Sequence, residues 1–281
     1  MKSYYIIVLI ALVSLMASCT DVIEVDVPEG PIRLTIEASL DWEKGTAGNE
    51  QTILLSSSTT FYDNQMPSPV TGALVTVTNN DTGTIFNFED QNDGRYTTAN
   101  FIPVLENSYT LNVTHNGERY TGTETLFPVS DISEVFQSKE DGEDDEALEV
   151  NVSFQDPEGI ENYYYLRFQS RNDMLPELFD IKDEFIDGNE ATFYYEKTED
   201  ESNNIREFEP GDIVDIKLLG VSEDYYNYMQ LLIEQFDSAG DPFSATPVAL
   251  VGNCINLDDS SNAPYGYFRV TQMVQDTFTF E

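Results

Sequence analysis

Two cysteines, one histidine and 52 carboxylates are the side chains from which chemistry would have to be built in this 281-residue chain. His115 stands alone, so neither a histidine-ligated zinc site nor a triad with an imidazole base has its material. Among so many carboxylates, some pair will fall at glycosidase spacing by chance. A hydrolase needs two of them in one cleft with their pKa values driven apart, which linear spacing does not establish. The Gly-x-Ser-x-Gly elbow, the phosphate loop and the dinucleotide fingerprint do not occur. No catalytic residue, no metal-ligand set and no cofactor is therefore expected. Calcium accepts carboxylate and carbonyl oxygens in loops, and the run Glu140-Asp141-Gly142-Glu143-Asp144-Asp145-Glu146 offers them without the EF-hand pattern. A solvated loop is the simpler reading of that run, and a structural ion is the other.

The two thiols differ in setting. Cys19 closes an apolar run from Tyr4 to Ala17, broken only by Ser14 and preceded by the single charge of Lys2. A bilayer-spanning helix needs roughly 20 apolar residues, so this run is short. A basic start, an apolar middle and small residues at the end are the marks of a secretory signal peptide. Met16-Ala17-Ser18-Cys19 resembles the bacterial lipobox, which implies cleavage between Ser18 and Cys19 and acylation of Cys19. A plain signal peptide with an incidental cysteine is the alternative. Residues 1–18 then read as a lipoprotein signal peptide and 19–29 as a lipid-anchored tether. Acyl chains hold a membrane at about 0.8 kcal/mol per buried methylene, so the protein would be anchored without spanning. Cys254, in the stretch Val251 to Ile255, is left without a partner, and an inert buried thiol is expected.

The formal net charge is −39. Nucleic acid and anionic membrane surfaces would repel such a chain, whereas a divalent cation or a basic partner would be attracted. The acid is uneven: between Asp131 and Asp215 there are 27 acidic and 6 basic residues. A solvated acidic surface is the plainest account of it.

Period-two alternation dominates the elements that must position any site. Ile32, Leu34, Ile36, Ala38 and Leu40 share a face, as do Ala73, Val75 and Val77, Phe86 and Phe88, and Tyr109, Leu111 and Val113. Asn92-Asp93-Gly94 marks a turn, and Asn116-Gly117 is a hairpin signal. Short strands at this spacing argue an antiparallel, immunoglobulin-like sandwich over 30–128. After the acidic run, Leu148, Val150, Val152 and Phe154 alternate, and further strands are expected near 162–171, 191–197, 212–219, 248–256 and 267–274. One helix is expected near 222–236, with Ser222 as N-cap, Gly240 and Pro242 as its stop, and Tyr225, Tyr228, Met229, Leu232 and Phe236 as its core-facing stripe. The fold class is all-β, in two β-rich domains: the sandwich, then a sandwich-like domain with one packed helix over 130–281.

Eight segments together carry a family resemblance. They are DVIEVDVPE at 21–29, PVTGALVTV at 69–77, GRY at 94–96, SYTLNV at 108–113, FQDPEGIENYY at 154–164, EPGDIVDIKL at 209–218, GDPFS at 240–244 and VGNCI at 251–255. In this order they resemble the Bacteroidetes lipoproteins classed as domain of unknown function 4249. The resemblance implies an outer-membrane lipoprotein, commonly encoded beside a TonB-dependent receptor, and no assigned catalytic residue. Asp21, Glu24 and Asp26 are compatible with that phylum's surface-export signal, although more dispersed than its usual compact form, so the cell surface is the expected side. Asp237-Ser238-Ala239 resembles the phylum's O-glycosylation motif, with a plain surface turn as the equal alternative at Ser238. The expected role is binding: a non-enzymatic partner of a TonB-dependent transporter that captures a small-molecule or oligomeric nutrient. A structural adhesion or assembly module and a polymer hydrolase are the competing classes.

Overall fold

The computed structural model describes residues 30–59, 68–142, 144, 146–199, 205–238 and 249–281. The leader, Ser18 and Cys19, the tether, and the helix stop at Gly240 and Pro242 lie outside the described residues.

Alternation becomes structure first in β1 (Leu34–Glu43), which buries Leu34, Ile36, Ala38 and Leu40 and turns Glu37 and Ser39 outward. β2 (Gln51–Ser57), β3 (Ser68–Pro69), β4 (Leu74–Asn79), β5 (Ile85–Asp90), β6 (Arg95–Thr98), β7 (Ser108–His115) and β8 (Glu118–Thr125) follow. Asn116 and Gly117 take φ of 52° and 86°, the paired positive values that a tight β7–β8 hairpin requires. The inward side chains of these strands form the first core, around Tyr96, Phe101 and Tyr109.

The second half contributes β9 (Ile132–Ser138), β10 (Glu149–Gln155), β11 (Tyr163–Ser170), β12 (Glu177–Lys182), β13 (Glu190–Glu196), β14 (Ile213–Val221), α1 (Glu223–Asp237), β15 (Ile255–Asn256) and β16 (Tyr265–Thr279). A three-stranded sheet, ordered β13-β10-β9, packs against β11, β12, β14 and the end of β16. Between them lies a second core built on Val150, Val152, Phe154, Phe168 and Ile216. The fold is all-β, an immunoglobulin-like sandwich followed by a sandwich-like unit with one packed helix.

A sequence division at residue 130 would assign everything after it to the second unit, but the pairing cuts across that line. β16 has 15 residues, long enough for two partners. Its first half lies parallel to β1, from Thr35 opposite Tyr265 to Glu43 opposite Met273. Its second half is antiparallel to β14, from Gly220 opposite Gln272 to Ile213 opposite Thr279. β15 pairs with β8, and Cys254, Phe268 and Val270 belong to the first core. The sheet of the first sandwich thus runs on into the second through one strand.

α1 also departs from its expected stripe. Ser222 caps it, its hydroxyl accepting the Tyr225 N–H at 3.1 Å, with Glu223 and Asp224 in the first turn where the helix dipole favours them. Tyr225 and Met229 are buried, and Tyr226, Tyr228 and Ile233 pack beside them on Tyr163, Tyr165, Leu219 and Tyr267. Leu232 and Phe236 are 37% and 61% exposed. The buried face is set by the 225/229 pair, and the helix rides out over the sheet edge before its last turns. Among the described residues, no helix is long and apolar enough to cross a membrane.

Candidate functional site

The polar interior gathers where α1, β8, β1 and β16 meet. On β8, Tyr120, Gly122 and Glu124 share the inward phase, so a carboxylate occupies a core position. Glu124 Oε2 accepts the hydroxyls of Ser222 at 3.0 Å and Tyr267 at 3.2 Å, and Oε1 accepts the Thr125 N–H at 2.9 Å. Burial, aided by the nearby charge of Asp224 and only partly offset by these donors, pushes its carboxyl up to about 7. Tyr267 stacks edge-on with Tyr225, ring centres 5.0 Å apart. Arg269 donates to the Tyr225 hydroxyl at 2.7 Å and lies over that ring, 4.9 Å from its centre. From Glu124 to Arg269 the network joins strands of the first sandwich to the helix of the second unit.

Three aspartates meet elsewhere. Asp156 after β10, Asp183 after β12 and Asp187 beyond it place carboxylate oxygens within 4.8 Å of one another. Asp156 Oδ1 accepts the Tyr164 hydroxyl at 2.7 Å and Oδ2 the Gly188 N–H at 3.3 Å. Asp183 accepts the Asn162 N–H at 2.7 Å, and Asp187 the Gly159 N–H at 2.6 Å. Burial raises the Asp156 carboxyl, and the charges of Asp183 and Asp187 add to the rise. Oxygen donors of this kind suit a hard cation, but the hydrogen bonds already account for them as a clamp on two loops. The surface clefts beside Gln51, Glu89 and Thr97 and beside Arg167, Asp215 and Gln275 are formed by other residues.

The sequence candidates land apart from one another. Cys254 is buried just before β15, against Gly122 of β8, and burial pushes its thiol up to about 12. It is free. Ser238 is half-buried at the end of α1, its N–H on the Glu234 carbonyl at 3.1 Å; Ala239 of that motif lies outside the described residues. His115 is at the β7–β8 turn, 3.0 Å from the Asn116 amide. The side chains of Glu140, Asp141, Asp144 and Glu146 are exposed, as a solvated run should be. Sequence reading missed Glu124, although an acid in phase with Tyr120 and Gly122 was a legible signal. It also missed the aspartate clamp, whose members are 27 and 31 positions apart in sequence and meet only through the β11–β12 pairing.

No curated protein matches the sequence. Solved structures match at low similarity. A two-domain fibronectin type III segment of chicken tenascin is 12% identical with a TM-score of 0.21, over 69% of this chain and 91% of that one. The FN1–FN3 domains of chicken CNTN1 are 12% identical with a TM-score of 0.22, over 70% and 60%. A DUF4785 family protein from Legionella pneumophila is 12% identical with a TM-score of 0.27, over 66% and 52%. Residues 20–277 match the domain of unknown function DUF4249, and the chain belongs to that family.

Proposed function

We propose that this protein is lipid-anchored through Cys19 in an outer membrane, on the cell-surface side, and serves as a non-enzymatic accessory partner of a TonB-dependent nutrient transporter. The lipobox-like Met16-Ala17-Ser18-Cys19 supports the anchor, and the family resemblance supports the transporter context. The observation that carries the binding role is α1. On a chain of net charge −39, one helix leaves Leu231, Leu232 and Phe236 exposed, and the last two are one helical turn apart. Exposed apolar surface on a rigid support is what a protein partner buries first. The shared β16 and the buried Glu124–Arg269 network supply that support.

The test is co-purification from detergent-solubilised native membranes. The expected result is recovery of an outer-membrane receptor with the wild-type protein, and loss of membrane association in Cys19→Ala. Recovery without any receptor overturns the partnership. A Cys19→Ala protein that stays with the outer membrane after high-salt washing overturns the anchor.

A further inference from the structure

β10 breaks the rule of one buried face, because six of its seven residues are buried. Val150, Val152 and Phe154 enter the second core. Glu149, Asn151 and Ser153 occupy the opposite face and are buried as well. The register sets Ser138 of β9, Glu149 of β10 and Glu196 of β13 in one row. Two glutamates directly opposite on neighbouring strands repel each other. The same face carries Glu134, opposite Ser153, and the loop above adds Glu140, Asp141, Asp144 and Glu146. Two basic residues stand at this end among the described residues, and both are engaged: the Lys139 amine donates to the Glu146 carbonyl, and Lys197 is paired with Asp173.

The two oxygens of Glu149 have opposite fates. Oε1 accepts from the Ser138 hydroxyl, from the N–H groups of Glu140 at 3.1 Å and Asp141 at 2.9 Å, and from the Asn151 amide at 3.5 Å. Burial works to raise this carboxyl, but the donors together outweigh it and hold the group below its ordinary value. Oε2 is buried with no donor at all, and so is Asn151 Oδ1. A Cβ on Gly142 would lie 2.7 Å from Glu149 Oε2 and closer still to Glu196 Oε2. Both carboxylates therefore aim at one spot under Gly142, where Glu196 Oε2 accepts the Asp144 N–H at 3.3 Å.

A bare, buried anionic oxygen is costly, and here it faces a second carboxylate. The donors all converge on Oε1, which leaves Oε2 turned toward Glu196 with its lone pairs open. A cation shared by both groups relieves that cost. We propose that Glu149 and Glu196 bind a calcium ion at this end of the β9–β10–β13 sheet. The donors are carboxylate oxygens, with the Asn151 amide oxygen next along the same face, and nothing soft is among them. Calcium takes such oxygens at about 2.3–2.6 Å in flexible geometry, whereas magnesium demands a near-octahedral set. Bound there, the ion fastens the acidic loop to the edge of the second core. The transporter reading plays no part in this argument.

The full-length chain in detergent, stripped with EDTA and desalted, is titrated with calcium chloride by calorimetry and melted with and without the ion. Wild type should bind calcium and melt higher with it. Glu149→Gln and Glu196→Gln should each weaken binding by about tenfold or more, since ligand charge sets the affinity of such sites. Asp187→Asn, in the separate aspartate clamp, should bind as wild type does. In EDTA, Glu196→Gln should melt at or above wild type because the repulsion is gone, and calcium should reverse that order. Absence of binding by wild type, unchanged binding in both glutamine variants, or loss of binding in Asp187→Asn alone would each overturn the proposal. So would a melting shift produced by magnesium and not by calcium.

Discussion

Arg269 of β16 reaches across the parallel pairing to Asp41 of β1, its Nη2 donating to Asp41 Oδ1 at 2.6 Å. Ser39, not Asp41, is its register partner, so the bond is diagonal. The arginine side chain is 10% exposed and the aspartate 28%. A guanidinium so enclosed depends on its anion. Removing one partner of a buried pair costs about 3–5 kcal/mol, because the other is left charged and unpaired, while replacing both with apolar residues is often neutral. Asp41→Ala should fall near the lower figure, given the residual exposure of the aspartate. Asp41→Leu with Arg269→Met should recover most of the loss. Urea denaturation of the three proteins checks this, and equal stability of Asp41→Ala and wild type would remove the pair from the account of the seam.

Glu124 gives the seam a pH dependence whose sign is set by burial. Its folded-state value is about 7, against 4.5 for the free side chain. Between those values the native state holds a proton that the unfolded state has released, so stability falls as pH rises through the window. Below about 4.5 both states are protonated and the benefit is complete; above about 7 it is gone. A shift of this size is on the order of 3 kcal/mol. Glu124→Gln keeps an acceptor oxygen for Ser222 and Tyr267 and cannot ionise. It should melt higher than wild type at pH 8 and converge with it near pH 5. Parallel melting curves across this range would show that Glu124 does not titrate in the window.

The double role of β16 ties the first sandwich to the end of the chain. A protein stopped at residue 130 retains eight strands but loses Cys254, Phe268 and Val270 from the first core and the whole parallel partner of β1. Non-local pairing of this kind is entropically expensive and forms late. The truncated protein should show no cooperative thermal transition, whereas the chain extended to 281 should. A sharp transition in the truncated form would make the shared strand dispensable.

Alternation made β1, β4, β5, β7 and β8 readable because each has one dry and one wet face, and Asn116-Gly117 fixed a turn by its own dihedral preference. The shared strand was not readable on those terms. Seven consecutive buried residues of β16, Tyr267 to Met273, erase the period, since Phe268 and Val270 enter the first core on one face while Tyr267 and Met273 pack under α1 on the other. β10 was misleading for a related reason. Its Val150, Val152 and Phe154 announce a half-buried strand, and Glu149 and Asn151 look like the solvent face. The acidic loop folds back and closes over them, a tertiary event that strand period cannot signal. Ser222 was legible as a cap because capping is local. The reach of the helix's apolar side chains was not, because it depends on where the sheet beneath them ends.

α1 carries two kinds of apolar residue, those over the sheet and those beyond its edge. Met229 is buried against Tyr267 and its neighbours, and truncating such a side chain typically costs about 2–5 kcal/mol. A domain is stable by only about 5–15 kcal/mol, so Met229→Ala should lower the melting temperature clearly. Leu232 lies one turn from Tyr228 and Phe236 but is 37% exposed, so Leu232→Ala should move melting much less. If the exposed turns of α1 meet the transporter, Leu232→Ala combined with Phe236→Ala should leave the melting temperature close to wild type and reduce receptor recovery in pull-downs. Interface anchors of this type each contribute more than about 1 kcal/mol, and two together are enough for a loss of tenfold or more in recovery. Unchanged recovery with unchanged melting would leave α1 a packed helix without a binding role, and the partner-facing surface would have to be sought on the loops at the ends of the sandwiches.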